Sequence, residues 1–336
     1  MASTIRDVAR QAGVSISTVS RVLNNTCAVA EDKRLRVEKA ASALGYVPNP
    51  NARSLLMKST GGMGMLLPHV SGEFFSEFLT GADNVAKDND FFLLISASHG
   101  KASEWRSSVQ SVYRRVDGLI VMAPQVTPKR LNLSQDIPTV FVNTPVPERD
   151  RSGVDVIGFD NAGGTRQAVE YLLNLGHRRF CYVAGPEGAF DAAERAKGFR
   201  EALDSAGIRD GVILAGGYNH EDGALAARKI LEMDPRPTAV LAANDYCALG
   251  LLTELQGAGV DVPGEVSIIG FDNVPSAAFS APGLTTLGVP IREIGEKAIE
   301  RLLHRIRRPD DPVRLSVELP VNLVVRDTTA PVLRQQ

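Results

Sequence analysis

The stretch TIRDVARQAGVSISTVSRVL, residues 4–23, decides the fold of the N-terminal part of the chain. Thr4 with Asp7 three residues later has the spacing of a capping box and predicts a helix from Ile5 that stops at Gly13. Ser15 predicts the cap of a second helix, because its hydroxyl can accept a bond from a free backbone N–H there. Two short helices joined by a tight glycine-containing turn are typical of DNA-binding proteins. Other helical hairpins share this spacing, so the pattern alone leaves both interpretations open.

A third helix and a linker are predicted outward from this stretch. Residues 31–44 have helical spacing, and apolar side chains such as Leu35 and Val37 can cover the first two helices. Further on, Asn49 can cap a helix and Pro50 suits its first position. The resulting helix would have about two turns, and helices shorter than ~12 residues are marginal in water without a partner. A plain linker is the alternative for this segment.

Charge is divided unequally along the chain. Residues 1–60 contain nine basic and four acidic side chains, a net charge of +5, whereas the whole chain has a net charge of -2. The remaining residues therefore have a net charge of -7. A basic N-terminal part favours contact with nucleic acid, because lysines and arginines release counterions from phosphates.

Apolar runs alternate with amphipathic helical patterns from Gly61 onward, and they predict nine buried strands. The runs cover residues 63–67, 91–97, 118–122, 139–143, 154–159, 180–185, 212–217, 239–243 and 266–271. Continuous Val/Ile/Leu runs suit strands buried on both faces of a parallel sheet. So many strands predict two doubly wound α/β subdomains rather than one, with a cleft between them. Ligands of such folds bind at the carboxyl ends of the strands.

The cysteines and apolar segments indicate the cellular compartment of the protein and the kinds of chemistry it can perform. Cys27, Cys181 and Cys247 are far apart and offer no metal spacing or disulfide framework. The chain is polar from Thr4 onward, and the longest uncharged run, residues 273–291, contains three prolines. We therefore expect a cytoplasmic protein without membrane contact. We also expect no enzyme, metal or cofactor, because no Ser/His/Asp array or phosphate-binding loop is present.

The chain resembles the lactose/galactose repressor family in eight segments, which occur in order and at the family's spacing. They are TIRDVARQAGVSISTVSRVLNN, LGYVPNPNARSL, RVDGLIVM, LGHRRFCYVAGP, ERAKGF, PTAVLAANDYCALG, VPGEVSIIGFDN and LTTLGVP. The resemblance implies a transcription regulator, expected to be a repressor. It implies a helix-turn-helix domain over 1–47, a hinge over 48–60 and a ligand-binding core like periplasmic binding proteins over 61–336. In that core, the N-subdomain would span about 61–161 and 291–321, and the C-subdomain about 162–290 and 322–336.

The resemblance also implies which residues contact DNA. Ile16, Ser17 and Arg21 match positions that contact bases, and Arg21 suits a bidentate bond to guanine. Leu55 matches a leucine inserted into the minor groove, an apolar wedge that kinks DNA; a helix-packing contact in the dimer is the alternative. Other matching positions, mostly phosphate-contacting ones that orient the protein without selecting sequence, are Thr4, Ser15, Thr18, Ser20, Asn24, Asn25 and Arg53.

Positions that contact the ligand in the family fall on eight residues here. They are Ser71, Phe74, Phe75, Asn143, Arg195, Tyr218, Asn244 and Asp272. Gly72-Glu73 stands in place of the family's common Asn-Pro, within the loop that stacks on the ligand ring. An Arg/Asp pair with amides and aromatic faces suits a neutral ring rich in hydroxyls, hence a sugar. Ala189 stands where a purine-sensing member would place an arginine, although a nucleobase sensor and a purely structural Arg195–Asp272 ion pair stay open.

Family members form dimers through both core halves, so the resemblance implies a homodimer on a palindromic double-stranded operator. A small-molecule effector in the cleft would change the angle between the subdomains and thereby order or melt the hinge. Two other hypotheses compete with this one. A periplasmic solute-binding protein would share the core without a basic N-terminal part, and an enzyme would place catalytic groups in the cleft.

Overall fold

The computed structural model describes residues 3–24, 29–46, 59–98, 104–131, 133 and 136–332. These residues form two compact units, which divide between Gly61 and Gly62. The first unit contains three helices: α1 (Ile5–Ala12), α2 (Ile16–Asn24) and α3 (Glu31–Ala43). The predicted linker helix and the hinge residues 48–58 lie outside the described residues.

Local hydrogen bonds explain where α1 and α2 begin. The backbone N–H and hydroxyl of Thr4 donate to the Asp7 carboxylate, at 3.0 and 2.6 Å, which confirms the predicted capping box. Gly13, at φ +65°, ends α1 in a left-handed conformation that glycine adopts without strain. The Ser15 hydroxyl accepts from the Thr18 N–H at 3.2 Å and so caps α2 as predicted. The bonds from Thr4 also lower the pKa of Asp7.

The three helices bury a small apolar core. Its fully buried members are Val8, Ala9, Ala12, Val19, Val22, Val37, Ala40 and Ala41. The prediction that Leu35 belongs to this core is wrong, because its side chain is 58% exposed. Val37, two residues further along α3, is on the face that meets α1 and α2 instead.

The second unit contains two six-stranded sheets and the helices that cover them. Strands of the first sheet are β1 (Gly62–Leu67), β2 (Phe92–Ala97), β3 (Gly118–Val121), β4 (Thr139–Val142), β5 (Asp155–Phe159) and β11 (Ser316–Leu319). Strands of the second sheet are β6 (Phe180–Val183), β7 (Val212–Leu214), β8 (Ala239–Ala242), β9 (Ser267–Asp272), β10 (Thr285–Gly288) and β12 (Asn322–Val324).

Helices of the second unit vary from four to 17 residues. They are α4 (Glu73–Asp88), α5 (Trp105–Val112), α6 (Pro128–Leu131), α7 (Glu148–Arg151), α8 (Asn161–Asn174), α9 (Phe190–Ser205), α10 (His220–Leu231), α11 (Asp245–Gly257), α12 (Pro275–Phe279) and α13 (Ile291–Arg307). None of the helices among the described residues has the length and apolar character needed to cross a lipid bilayer.

Strand order defines the two halves of this unit. The first sheet has the order β11-β5-β4-β3-β1-β2, and all of its neighbours are parallel. The second has the order β12-β10-β9-β8-β6-β7 and is parallel except for β12. Helix α13 packs on α4 and on the first sheet. We call the half with the first sheet the N-subdomain and the half with the second sheet the C-subdomain. The predicted fold class is confirmed.

All nine predicted strands occur where the apolar runs placed them, whereas β10, β11 and β12 were not predicted. The expectation that every strand is buried on both faces is wrong for the edge strand β7, where Val212 is 37% exposed, and for β2. Phe92 and Ile95 on this strand are exposed. The physical reason is its position at the edge of the first sheet, where the strand has one neighbour instead of two.

Candidate functional site

The outward face of α2 presents the side chains predicted to contact bases. Ile16 is 46% exposed although it is apolar, and Ser17 and Arg21 are also exposed. A solvent-facing isoleucine at the start of a helix suits contact with a thymine methyl, and the arginine suits a guanine edge. Because Val19 and Val22 on the opposite face are buried, the helix is fixed with this face outward.

Several residues predicted to contact phosphate already bond within the protein. The Ser15 hydroxyl is bonded to the hydroxyls of Ser17 and Thr18, at 2.8 and 2.9 Å, and the Thr4 hydroxyl is bonded to a carboxylate. Thr4 and Ser15 are nevertheless exposed, and Thr18 and Ser20 are half-buried. Asn24 is the last residue of α2, whereas Asn25, Arg53 and Leu55 lie outside the described residues.

A cavity of about 760 Å³ lies between the two subdomains, at the carboxyl ends of both sheets. The structure brings all eight residues predicted to contact the ligand into its lining: Ser71, Phe74, Phe75, Asn143, Arg195, Tyr218, Asn244 and Asp272. The first four belong to the N-subdomain and the last four to the C-subdomain. A ligand in this cavity would therefore contact both halves, although the role of each residue stays a prediction.

Arg195 lies buried on α9 with its guanidinium bonded to protein groups. Its Nε donates to Asn161 Oδ1 at 2.8 Å, and its other nitrogens donate to the Ala243 carbonyl and to Asp272 Oδ1, the latter at 3.5 Å. The guanidinium also lies 3.6 Å from the centre of the Phe271 ring, in cation–π geometry. The Arg195–Asp272 ion pair therefore has a structural role as well as a place in the cavity wall.

Burial raises the pKa of Asp272 to about 7, against the opposing effect of the Arg195 charge. Its backbone is strained, with φ at +110°, a region that residues other than glycine seldom adopt. Strain of this kind is often found at ligand-binding sites, where the surrounding structure holds a side chain in one orientation. Asp272 is thus fixed in the cavity wall and is able to change its protonation near neutral pH.

Amides and aromatic rings complete the cavity wall. Asn143 lies between the subdomains: its Oδ1 accepts from Asn161 at 3.4 Å and its Nδ2 lies 3.5 Å from Asp191. Asn244 donates to the Tyr218 carbonyl at 3.0 Å and caps α11, so it positions the tyrosine as much as it faces the cavity. The rings of Phe74 and Phe75 meet edge to face at 5.4 Å, and both line the cavity.

Several residues of the cavity wall were not predicted from the sequence, notably Gln125, Asp191 and Tyr246. Asp191 could have been found from its spacing. It precedes Arg195 by one helical turn and therefore faces the same way from α9. Gln125 follows β3, where polar side chains after a parallel strand are candidates for ligand contact. Tyr246 follows β8 at the same interval, so the same argument applies to it.

The Gly72-Glu73 substitution in the loop after β1 forms a direct contact between the subdomains. The Glu73 N–H donates to the Tyr246 hydroxyl at 2.7 Å, which a proline in this position could not do. The Glu73 carboxylate accepts from the N–H and hydroxyl of Ser276, at 3.0 and 2.6 Å. Gly72 has φ +97°, and a Cβ there would lie 3.1 Å from the Tyr246 ring. We call Glu73, Tyr246 and Ser276 the cleft-mouth contact.

A helix-turn-helix unit with an outward-facing second helix, together with a core that encloses a polar cavity, defines a DNA-binding regulator that responds to a small molecule. Comparison with known proteins supports this class. Residues 4–49 match the family described as bacterial regulatory proteins, lacI family, and residues 169–329 match a periplasmic binding protein-like domain.

Relatives match over most of the chain. The HTH-type transcriptional repressor PurR of Vibrio atlanticus is 36% identical over 332 residues, which cover 97% of this chain and 98% of that protein. The HTH-type transcriptional regulator GalS of Salmonella typhimurium is 38% identical over 305 residues, or 89% of each chain. The crystal structure of the lac repressor dimer bound to operator and the anti-inducer ONPF has a TM-score of 0.85 at 28% identity, covering 98% of this chain and 100% of that one. This chain belongs to the lacI family of bacterial regulatory proteins and is a DNA-binding transcription regulator.

Proposed function

We propose that the chain is a repressor whose affinity for a palindromic operator is set by a small, hydroxyl-rich ring bound in the cavity, with a sugar as the expected effector. The observation on which this depends is the convergence of eight predicted ligand contacts from both subdomains on one cavity. Aromatic faces beside amides and carboxylates suit a ring with C–H faces and hydroxyl edges. The regulator GalS is similar to this chain. So is the structure of a CelR–cellobiose complex, whose ligand is a sugar; it has a TM-score of 0.72 at 28% identity and covers 97% of this chain and 99% of that one.

A nucleobase is the second candidate effector, because PurR proteins are similar to this chain over nearly all of its length. Ala189 argues against it. This residue precedes α9 and is buried, and its methyl group offers no hydrogen bond to a base. A sugar therefore remains the preferred effector.

We propose that the hinge over residues 48–60 couples the two sites. Effector binding would change the angle between the subdomains, and the hinge would order or melt as its two copies in a dimer approach or separate. An ordered hinge would seat Leu55 in the minor groove. Couplings of this kind change affinity by about 5- to 150-fold.

A homodimer is part of the proposal, because a twofold-symmetric protein suits a palindromic site. Exposed apolar side chains on both subdomains support it: Phe92 and Ile95 on β2, Leu225 on α10 and Phe279 at the end of α12. Phe279 is 87% exposed, which is unusual for so large an apolar side chain in a monomer. We further propose a cytoplasmic location and a role without catalysis.

Operator selection from random duplexes, followed by fluorescence anisotropy, tests the function. Arg21→Ala and Leu55→Ala should each weaken specific binding, Arg21→Ala by about 1–3 kcal/mol. Both variants should leave effector affinity unchanged. Arg195→Ala should abolish the effector's influence on DNA while operator binding without effector persists. Arg209→Ala removes an exposed arginine of the C-subdomain and serves as the control. Failure to select any palindromic duplex whose binding depends on salt would contradict the proposal.

A further inference from the structure

Asp191 is a buried carboxylate in the cavity wall without a basic partner. Its side chain is 7% exposed, and it lies at the start of α9. Its Oδ1 accepts from the Ala192 N–H at 3.0 Å, and its Oδ2 lies 3.5 Å from Asn143 Nδ2. No ion pair to Asp191 is formed within the described part of the chain. A buried carboxylate without an ionic partner is costly, unless neighbouring or ligand groups donate hydrogen bonds to it.

The nearest arginine on the same helix does not neutralise this charge. Arg195 bonds to Asn161, Ala243 and Asp272 instead. Asp222 is a third acidic residue in the wall, and its carboxylate accepts from the backbone N–H that starts α10. The lining described here thus contains three carboxylates, one guanidinium that is already paired, and no lysine. An anionic ligand placed beside Asp191 would therefore meet like charge.

Polar atoms without a partner in the cavity wall favour a ligand that donates hydrogen bonds. The buried Gln125 Oε1 has no hydrogen bond to any described residue, and it can only accept. The Tyr218 hydroxyl is buried beside Asp191 and can donate to its carboxylate; burial, the charge of that carboxylate and this interaction raise the pKa of Tyr218. Asp191 and Gln125 line the same cavity from opposite subdomains.

We propose that Asp191 determines effector specificity: its carboxylate accepts paired hydrogen bonds from adjacent hydroxyl or amino groups of an uncharged or cationic ring, and its charge excludes phosphorylated or carboxylated rings. This inference rests on the proposed function, because it takes the cavity to be the effector site. Two parallel donors on one carboxylate give strong, geometrically specific bonds. An anion placed beside the same carboxylate would be rejected by like charge.

Isothermal calorimetry with matched ligands tests the specificity. Galactose, glucose, ribose, glucosamine and hypoxanthine are compared with galacturonate, glucose 6-phosphate, ribose 5-phosphate and inosine monophosphate. Whichever ring binds should do so only in its neutral or cationic form. Asp191→Asn should weaken that binding about 10- to 100-fold. It should also reduce the ratio between the affinity for this ring and the affinity for its anionic counterpart. Asp204→Asn changes an exposed aspartate near the end of the same helix and should bind like the parent.

Melting without ligand tests the same inference independently. If the charge of Asp191 is uncompensated, Asp191→Asn should raise the melting temperature of the full-length protein by a few degrees, whereas Asp204→Asn should not. An anionic ring bound as tightly as its neutral form would overturn the proposal. Unchanged affinity in Asp191→Asn would overturn it too, and so would a melting temperature no higher than that of Asp204→Asn. If hypoxanthine binds and no sugar does, the sugar in the proposed function is wrong while the role of Asp191 stands. If no compound binds, the melting comparison decides.

Discussion

From the cleft-mouth contact we predict that the Glu73 side chain makes separation of the two subdomains less frequent. Glu73→Ala removes the two bonds that Ser276 donates to the carboxylate and leaves the backbone bond to Tyr246. Hydrogen bonds to charged groups contribute about 1.5–3 kcal/mol each. Because this carboxylate is only half-buried, we discount these values for solvent screening to about 2–3 kcal/mol for the pair. Separation of the subdomains should become about 30- to 150-fold more frequent.

Hydrogen exchange at the Phe190 amide measures this separation at a distance from the substitution. The Phe190 N–H, in the C-subdomain, donates to the Pro124 carbonyl of the N-subdomain at 2.9 Å, so opening of the cleft exposes it to solvent. Its exchange should accelerate by the same factor in Glu73→Ala. Glu77→Ala is the matched control, since Glu77 lies one turn further along α4 and pairs with Arg292 within the N-subdomain. Equal exchange at Phe190 in the two variants would refute the reasoning.

Two further predictions concern assembly and pH. Phe279→Asp places a charge on an apolar surface and should convert the dimer to a monomer in sedimentation velocity, whereas a stable dimer or a tetramer would contradict the assigned surface. Because the folded pKa of Asp272 is raised above its unfolded value of 3.8, folding resists its ionisation, and stability falls as pH rises through about 7. Between pH 6 and 8 the free energy of unfolding of the parent should fall by about 1 kcal/mol in urea titrations, and an equal fall in Asp272→Asn would count against this prediction.

Interactions between residues close together in the sequence made the helix starts and most strands predictable. Thr4, Asp7 and Ser15 interact within three residues, so their spacing alone specifies where helices start. Buried parallel strands are nearly continuous apolar runs, and the polar residues that follow them, such as Asn143 and Asp272, meet at one end of each sheet. The family resemblance then predicted which of these residues contact the ligand.

Long-range contacts could not be predicted in the same way. Glu73 and Ser276 are 203 residues apart, and nothing near either one in the sequence indicates the other. The strands β10 and β12 are short and lie at or near the edge of a sheet, so their apolar signal is weak. Whether the charge of Asp191 has an ionic partner depends on the direction in which the Arg195 guanidinium points. The spacing of the two residues along α9 does not specify that direction.

Neither half of the core is a continuous piece of chain. The N-subdomain sheet takes its last strand, β11, and its covering helix α13 from residues that follow most of the C-subdomain. During synthesis, the first sheet therefore remains one strand short until residue 319 has left the ribosome, by which time strands β6 to β10 have already emerged. A gene truncated after residue 160 would encode only five strands of that sheet, with one edge uncovered. Functional halves of this protein could not be obtained by cutting the gene once, because the chain crosses between the two subdomains three times.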